Sequence, residues 1–327
     1  MKAKERSRKK KAGRGEGGAS GPSSPSPRSS PSPRSARDRG VVIVGAGRLG
    51  TALARALDSC GYEVRALVSR EASRARRAAA RAGVGAVALG VGQLERLPEA
   101  GLVFVTTPDD RIAETAARLA ALPSLRPGVA LHASGALSSE ALAPLRARGL
   151  SVGSMHPLAA VSEAGAGAES LRAAFYCVEG DARAARTARR VVRDLGGEGF
   201  TVGAGQKPLY HASAVLAAGH VVALFDVALE TLRRCGLTGR RAQQVLLPLL
   251  RSAVENLSGG TPERALTGSF ARADHETVRK HLRALGTPDA GDALALYRLL
   301  GERSLQLAER AGADPGAVRE VRAALDE

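Results

Sequence analysis

Val41-Val42-Ile43-Val44-Gly45-Ala46-Gly47-Arg48-Leu49-Gly50 is the stretch that decides the fold. Four consecutive apolar, mostly β-branched residues make a short strand buried on both faces. The glycines at 45, 47 and 50 then turn that strand into a helix whose apolar residues recur as Leu49, Leu53 and Leu57. In a dinucleotide-binding turn the first glycine allows the tight bend and the second lets backbone approach the pyrophosphate. The third lets helix and strand pack closely. Backbone N–H groups at the helix start, those of Arg48 and Leu49 among them, face the phosphate charge. Strand, turn and helix in this order predict a nucleotide site at residues 45–50.

The rest of the 327-residue chain is long enough for two domains. No unbroken apolar run reaches the length of a membrane span, and the polar start lacks a signal-peptide core. Cys60, Cys177 and Cys235 stand singly, without metal-ligand spacing, and read as small buried side chains in a reducing compartment. A soluble, cytoplasmic protein without a bound metal is expected. The net charge of +16 is concentrated at the start, where residues 1–39 hold twelve Lys/Arg against three acids. Their Lys/Arg-rich opening and Ser-Pro repeats offer almost nothing apolar, so a disordered basic tail is expected. Aromatic residues make up 3% of the chain, too few for base-stacking platforms. Nucleic-acid binding is therefore not expected beyond a weak electrostatic contribution from that tail. Arginines 74, 76, 77 and 81 read as a solvated helix face.

From residue 40 strands and helices alternate. The second strand, Val64 to Val68, ends in Ser69-Arg70, where an NAD site would place an acid for the ribose hydroxyl. A hydroxyl and a guanidinium suit a 2′-phosphate instead, which favours NADP over NAD. Glu71 is expected in the first turn of the next helix. Further strands at 102–105, 129–131 and 151–153 end in polar tips. These are Thr106-Thr107-Pro108-Asp109-Asp110, His132-Ala133-Ser134-Gly135 and Ser154-Met155-His156-Pro157. Ligands of a doubly wound sheet sit beyond such strand ends, so Thr107 and Pro108 are expected to line the cofactor groove. Asp109 or Asp110 can cap the following helix. Alternation stops near Gly205, and long helices are expected from Lys207, the first running unbroken over 207–235. The chain thus reads as α/β: a doubly wound, mostly parallel Rossmann sheet (40–205) followed by an all-helical C-terminal domain (206–327).

Lys207 and His211 stand at i and i+4 and share one helical face beside the cofactor domain. Reduction of a ketone builds negative charge on oxygen, so a cation or proton donor is needed there. Lys207 is the candidate, with His211 orienting it or the substrate. Ser134 and Gly135 can offer a hydroxyl and an N–H to a substrate carboxylate, with His156 nearby. The catalytic set is accordingly Lys207, His211 and Ser134. The substrate set is Ser134, Gly135, His156 and Thr267, the last on a loop between helices. A non-catalytic NADP-binding sensor or interaction protein is the alternative.

Taken together, the Gly45–Gly50 turn, Thr106–Asp110, His132–Gly135, Met155-His156-Pro157-Leu158, Lys207–His211 and Ala265-Leu266-Thr267-Gly268 carry a resemblance. The chain resembles Rossmann-like oxidoreductases with an uncharacterised helical C-terminal domain, a branch of the 6-phosphogluconate-dehydrogenase-like superfamily. A few such proteins are linked to ketopantoate reduction in pantothenate synthesis, which implies a small 2-oxo acid, 2-dehydropantoate among them, as substrate. Usual ketopantoate reductases carry Asn at i+4 and i+8 from the lysine; here those positions are His211 and Val215. The superfamily also implies a homodimer built through the helical domain.

Overall fold

A computed structural model describes residues 39–161 and 164–327; most of the basic tail lies outside the described residues. The opening strand is Gly40–Val44 (β1), and Val41 to Val44 are at most 2% exposed. Seven more strands join it: Glu63–Ser69 (β2), Val87–Gly90 (β3), Leu102–Val105 (β4), Val129–His132 (β5), Ser151–Pro157 (β6), Phe175–Gly180 (β7) and Glu198–Phe200 (β8). Their order across the sheet is β3-β2-β1-β4-β5-β6-β7-β8. The chain therefore reverses its direction of growth between β1 and β4, and the crevice above that switch is where a doubly wound sheet binds ligands.

Because alternate strand residues face opposite ways, the sheet buries two separate cores. Val41 and Ile43 pack on one side with Leu53 and Leu57 of helix α1 (Arg48–Ser59) and with Ala78 and Ala82 of α2 (Ala72–Ala82). Val42 and Val44 face the other side, toward Ile112, Ala116 and Leu119 of α3 (Asp109–Ala120) and Leu145 of α4 (Ala143–Ala147). Helix α5 (Ala164–Leu171) and α6 (Ala182–Asp194) complete the first face. Strand β7 runs antiparallel to β6, with Met155 opposite Val178, and β8 follows it in parallel. The sheet is thus mostly parallel, as the alternation implied.

The helical region comprises α7 (Lys207–Ala217), α8 (Gly219–Arg233), α9 (Gly239–Ser258), α10 (Pro262–Ala265), α11 (His275–Leu285), α12 (Ala293–Arg310) and α13 (Pro315–Asp326). One unbroken helix over 207–235 was expected. Instead Ala218, at φ −126° and ψ −67°, breaks it into α7 and α8 just before Gly219. Val278, Leu305, Val318 and Val321 form the only described core cluster of this region, among α11, α12 and α13. Helices α7 to α9 contribute two buried residues, Lys207 and Ala242. The stretch Ala204–Arg233 contains an 18-residue segment of mean hydropathy 1.9 and is, by length and composition alone, able to cross a membrane. Polar residues such as His220 and Asp226 interrupt the run, so it is apolar on average without being unbroken. Cys235 is also exposed rather than buried.

Ala173 holds φ 54°, the left-handed region that costs a residue with a Cβ roughly 1–2 kcal/mol. It is exposed, so little packing is lost on trimming it. Ala173→Gly is expected to stabilise the fold by about 0.5–1 kcal/mol and raise the thermal midpoint by about 1–3 °C. Calorimetry that finds a lowered midpoint would contradict this reading of the turn.

Candidate functional site

At the end of β1, Gly45 takes φ +116°, and a Cβ there would lie 2.5 Å from the Thr106 carbonyl carbon. A Cβ on Gly50 would collide with the Gly45 carbonyl oxygen, so glycine is required where α1 packs on the turn. Gly47 caps α1 without a side chain, leaving the helix's first N–H groups to face outward. They open onto a cavity of about 1270 Å³ bordered by Gly45, Gly47, Arg48, Ser69, Arg70, Thr107 and Pro108. Leu49, by contrast, packs its side chain against the core and is not part of the cavity's lining. Thr107 Oγ1 is buried with no partner, a polar atom waiting for a bound group. The lining therefore fits a dinucleotide.

Arginines 74, 77 and 81 line the same cavity. This corrects the reading of that helix as merely solvated. Their i, i+3, i+7 spacing puts all three on one face of α2, which was the signal available in the sequence. Arg76 lies off that face and is exposed. Glu71 is the N-cap residue of α2 rather than part of its first turn, and it accepts a hydrogen bond from Ser73.

At the tips of β4 and β5 the polar groups are mostly spent on one another. Ser134 Oγ donates to Asp109 Oδ2 at 2.7 Å and accepts from the N–H groups of Ala136 and Leu137. Asp109 therefore does not cap α3, whose N-cap is Pro108; Asp110 instead pairs with Arg111 at 3.4 Å. His132 Nδ1 accepts from the Ser134 N–H, so its Nε2–H donates to the Ser138 carbonyl at 3.0 Å. Burial, with Lys207 adding to it, holds the His132 imidazole down to about 4. This is the strand-end histidine bonding a loop.

Lys207 opens α7 and is 0% exposed. Its Nζ donates to Ser154 Oγ at 2.7 Å and to the Ser134 carbonyl at 3.2 Å. Burial lowers its pKa, opposed by Cys177, Glu179 and Asp109 nearby. Lys207 and the Ser134 hydroxyl, both expected to act on a substrate, are here engaged by protein atoms.

The i+4 relation does hold, because His211 stands over the Gly135 backbone. A Cβ on Gly135 would collide with His211 Nδ1 and come within 2.9 Å of His156 Nε2. The two imidazoles meet edge to face, centroids 5.4 Å apart. His156 Nδ1 is hydrogen-bonded to Tyr210 Oη at 2.7 Å, and His211 Nδ1 is buried without a partner. Burial, then the charges of His211 and Lys207, hold His156 down to about 4. Tyr210 was not singled out from the sequence; a lone tyrosine beside a histidine gives no sign of what it faces across the two units. Thr267 is exposed, and none of the described hydrogen bonds joins it to residues 132–156 or 207–211.

Residues 25–157 match the Rossmann-like domain family, and residues 174–304 match a domain of unknown function, DUF2520. No curated protein matches the chain. Among solved structures, a Bacteroides fragilis protein designated a candidate NADP oxidoreductase is 22% identical, with a TM-score of 0.67 over 83% of this chain and 99% of its own. A Thermotoga maritima protein is 25% identical, with a TM-score of 0.64 over 83% and 99%. Plasmodium falciparum pyrroline carboxylate reductase with NADP bound is 11% identical, with a TM-score of 0.52 over 88% and 98%. These likenesses place the fold: a Rossmann-like α/β domain followed by a helical C-terminal region.

His132 and His156 stay neutral down to about 4, against 6.5 for an ordinary imidazole. Between those values the unfolded chain binds protons that the folded chain refuses, so stability falls as pH drops from 6.5 to 4. Urea midpoints at pH 7, 5.5 and 4.5 should decline accordingly; a flat series would mean that the imidazoles are solvated. Replacing Lys207 by Met removes a cation that disfavours the His156 imidazolium, and the His156 pKa measured by NMR should rise.

Proposed function

We propose that this chain, a Rossmann-like domain joined to a DUF2520 domain, is an NADP-dependent oxidoreductase that reduces a small 2-oxo acid. The observation that carries the reading is the arginine-lined cavity joining the α1 N-terminus to Thr107. The N–H groups opening α1, with Arg48, hold the diphosphate. Ser69, Arg70 and Arg74 hold the 2′-phosphate, for which NAD has no counterpart. Bound there, the reduced nicotinamide supplies a hydride. Two solved relatives of the same fold are named for NADP, one of them with NADP bound.

Lys207 acts from beneath the site. It fixes the Ser134 carbonyl and the Ser154 hydroxyl, and through them the 132–135 loop. Its charge adds to burial in disfavouring the His156 imidazolium. Among 2-oxo acids, 2-dehydropantoate is the first to try, and the cytoplasm is the compartment such a soluble coenzyme implies.

A homodimer is part of the same reading. Leu209, Val222 and Leu249 are 77%, 70% and 69% exposed, and every residue from 251 to 258 in α9 is open to solvent. Asp226, Glu230, Arg240 and Arg251 punctuate the same helices, a mixture that suits a second copy better than lipid. Sedimentation without detergent should give a dimer. A monomer, or recovery only with vesicles, would refute this.

NADPH should bind, and 2-dehydropantoate or another small 2-oxo acid should oxidise it. Changing Arg70 and Arg74 to Ala together should weaken NADPH binding by about 10- to 100-fold while hardly altering NADH binding. Lys207→Ala should lower kcat by about 10²-fold with NADPH affinity nearly intact. Tight NADPH binding with no turnover across the acids would leave a sensor, and no binding would end the proposal.

A further inference from the structure

We infer that Asp109 is a positioning residue that ties the turn at residues 134–137 to the coenzyme groove, so that a bound coenzyme holds that turn in place. The inference rests on the oxidoreductase reading and deepens it, because it makes the coenzyme-loaded form the one whose neighbouring turn is set.

The connection starts at the glycine turn. Thr106 Oγ1 donates to the Gly45 carbonyl at 2.8 Å, which fastens the tip of β4 to the bend that opens α1. Thr107, Pro108, Asp110 and Arg111 border the cavity, on both flanks of Asp109 in the chain. Asp109 itself reaches Ser134 instead, its Oδ2 lying 2.7 Å from the Ser134 hydroxyl. Asp110 pairs with Arg111 at 3.4 Å, whereas Asp109 makes no ion pair among the described residues. The bond to Ser134 is therefore what its carboxylate is committed to.

At Ser134 every polar group is in use. A hydroxyl has one proton to give and two lone pairs to receive with. The proton goes to Asp109, and the lone pairs accept from the N–H groups of Ala136 and Leu137 at 3.2 and 3.0 Å. The hydroxyl holds the turn, and the carboxylate aims the hydroxyl; a bond to an ionised acceptor is the stronger kind. Ser134 is 6% exposed, so water is a poor substitute for any of these partners.

The backbone of Ser134 is tied in two further directions. Its N–H donates to His132 Nδ1, and its carbonyl accepts from Ser154 Oγ and from Lys207 Nζ. One residue thus joins the β4 tip, the β5 tip and the opening of α7. Of these three attachments, the one through Asp109 leads to the cavity. A dinucleotide seated against residues 107–111 restrains that tip, and whatever is bonded to the tip loses freedom with it.

The test follows amide hydrogen exchange in the full chain, with and without saturating NADP⁺, for the wild type, Asp109→Asn and Asp109→Ala. In the wild type NADP⁺ should slow exchange at Ala136 and Leu137 by about fivefold or more. Asp109→Asn keeps an acceptor for the Ser134 hydroxyl and should retain most of that protection. Asp109→Ala should bind NADP⁺ within about threefold of the wild type and lose the protection. Should Asp109→Ala not fold, Ser134→Ala, which removes the same bond from its other end, is read in its place. Coenzyme lying directly over the turn would protect it in every variant, and that result overturns the inference. So does a wild-type turn whose exchange bound NADP⁺ leaves unchanged; both results leave the coenzyme reading intact. Failure of the wild type to bind NADP⁺ removes that reading, and the role of Asp109 with it.

Discussion

A buried ammonium group sets the geometry between the two units. Lys207 belongs to the first helix of the helical region, yet its Nζ ends among oxygens of the sheet domain. Removing a charge from water is costly, and the loss is offset only where hydrogen bonds replace hydration. A lysine in this position tolerates little displacement, since any shift of α7 would strand the charge. The register of α7 against β5 and β6 is fixed by that intolerance. His211, one turn further on, is brought over Gly135, and Tyr210 is brought against His156.

The coenzyme groove obeys a different constraint, close approach of backbone to backbone. Gly45 and Gly50 let α1 sit directly on the turn after β1, so its first N–H groups border the cavity. Helix α2 then contributes a row of guanidinium groups along one wall. Field lines from an uncapped helix start and from that row run in the same sense, toward an anion lying along the crevice. The histidine site lies beyond Thr107, where the polar tips of β5 and β6 meet α7. The arginine-lined groove and the histidine cluster are thus built from different elements.

Much of this was legible in the residues. Apolar runs such as Val41–Val44 and Leu102–Val105 become strands because their side chains can be buried on both faces, and the glycine turn follows from steric needs of backbone alone. Local pattern fails where partners come from afar. Nothing near Ser134 in the chain shows that its hydroxyl is taken by Asp109, twenty-five residues earlier. The depth of Lys207 follows from Ser154 and Ser134, again distant in sequence. The break at Ala218 is hidden because alanine is the best helix former and only Gly219 hints at a stop. The arginine row on α2 was visible as spacing, but which face met a cavity depended on the sheet beneath it.

The two outermost strands have a bearing on how copies of this molecule can meet. Strand β3 has four residues and β8 has three. Ribbons this brief expose few unpaired amides and cannot template a growing cross-molecular sheet. Association by strand addition is thereby discouraged at both flanks, while the apolar helices stay open to a neighbour. The scaffold can be rich in β-structure in its interior and still direct its sociability entirely through helices.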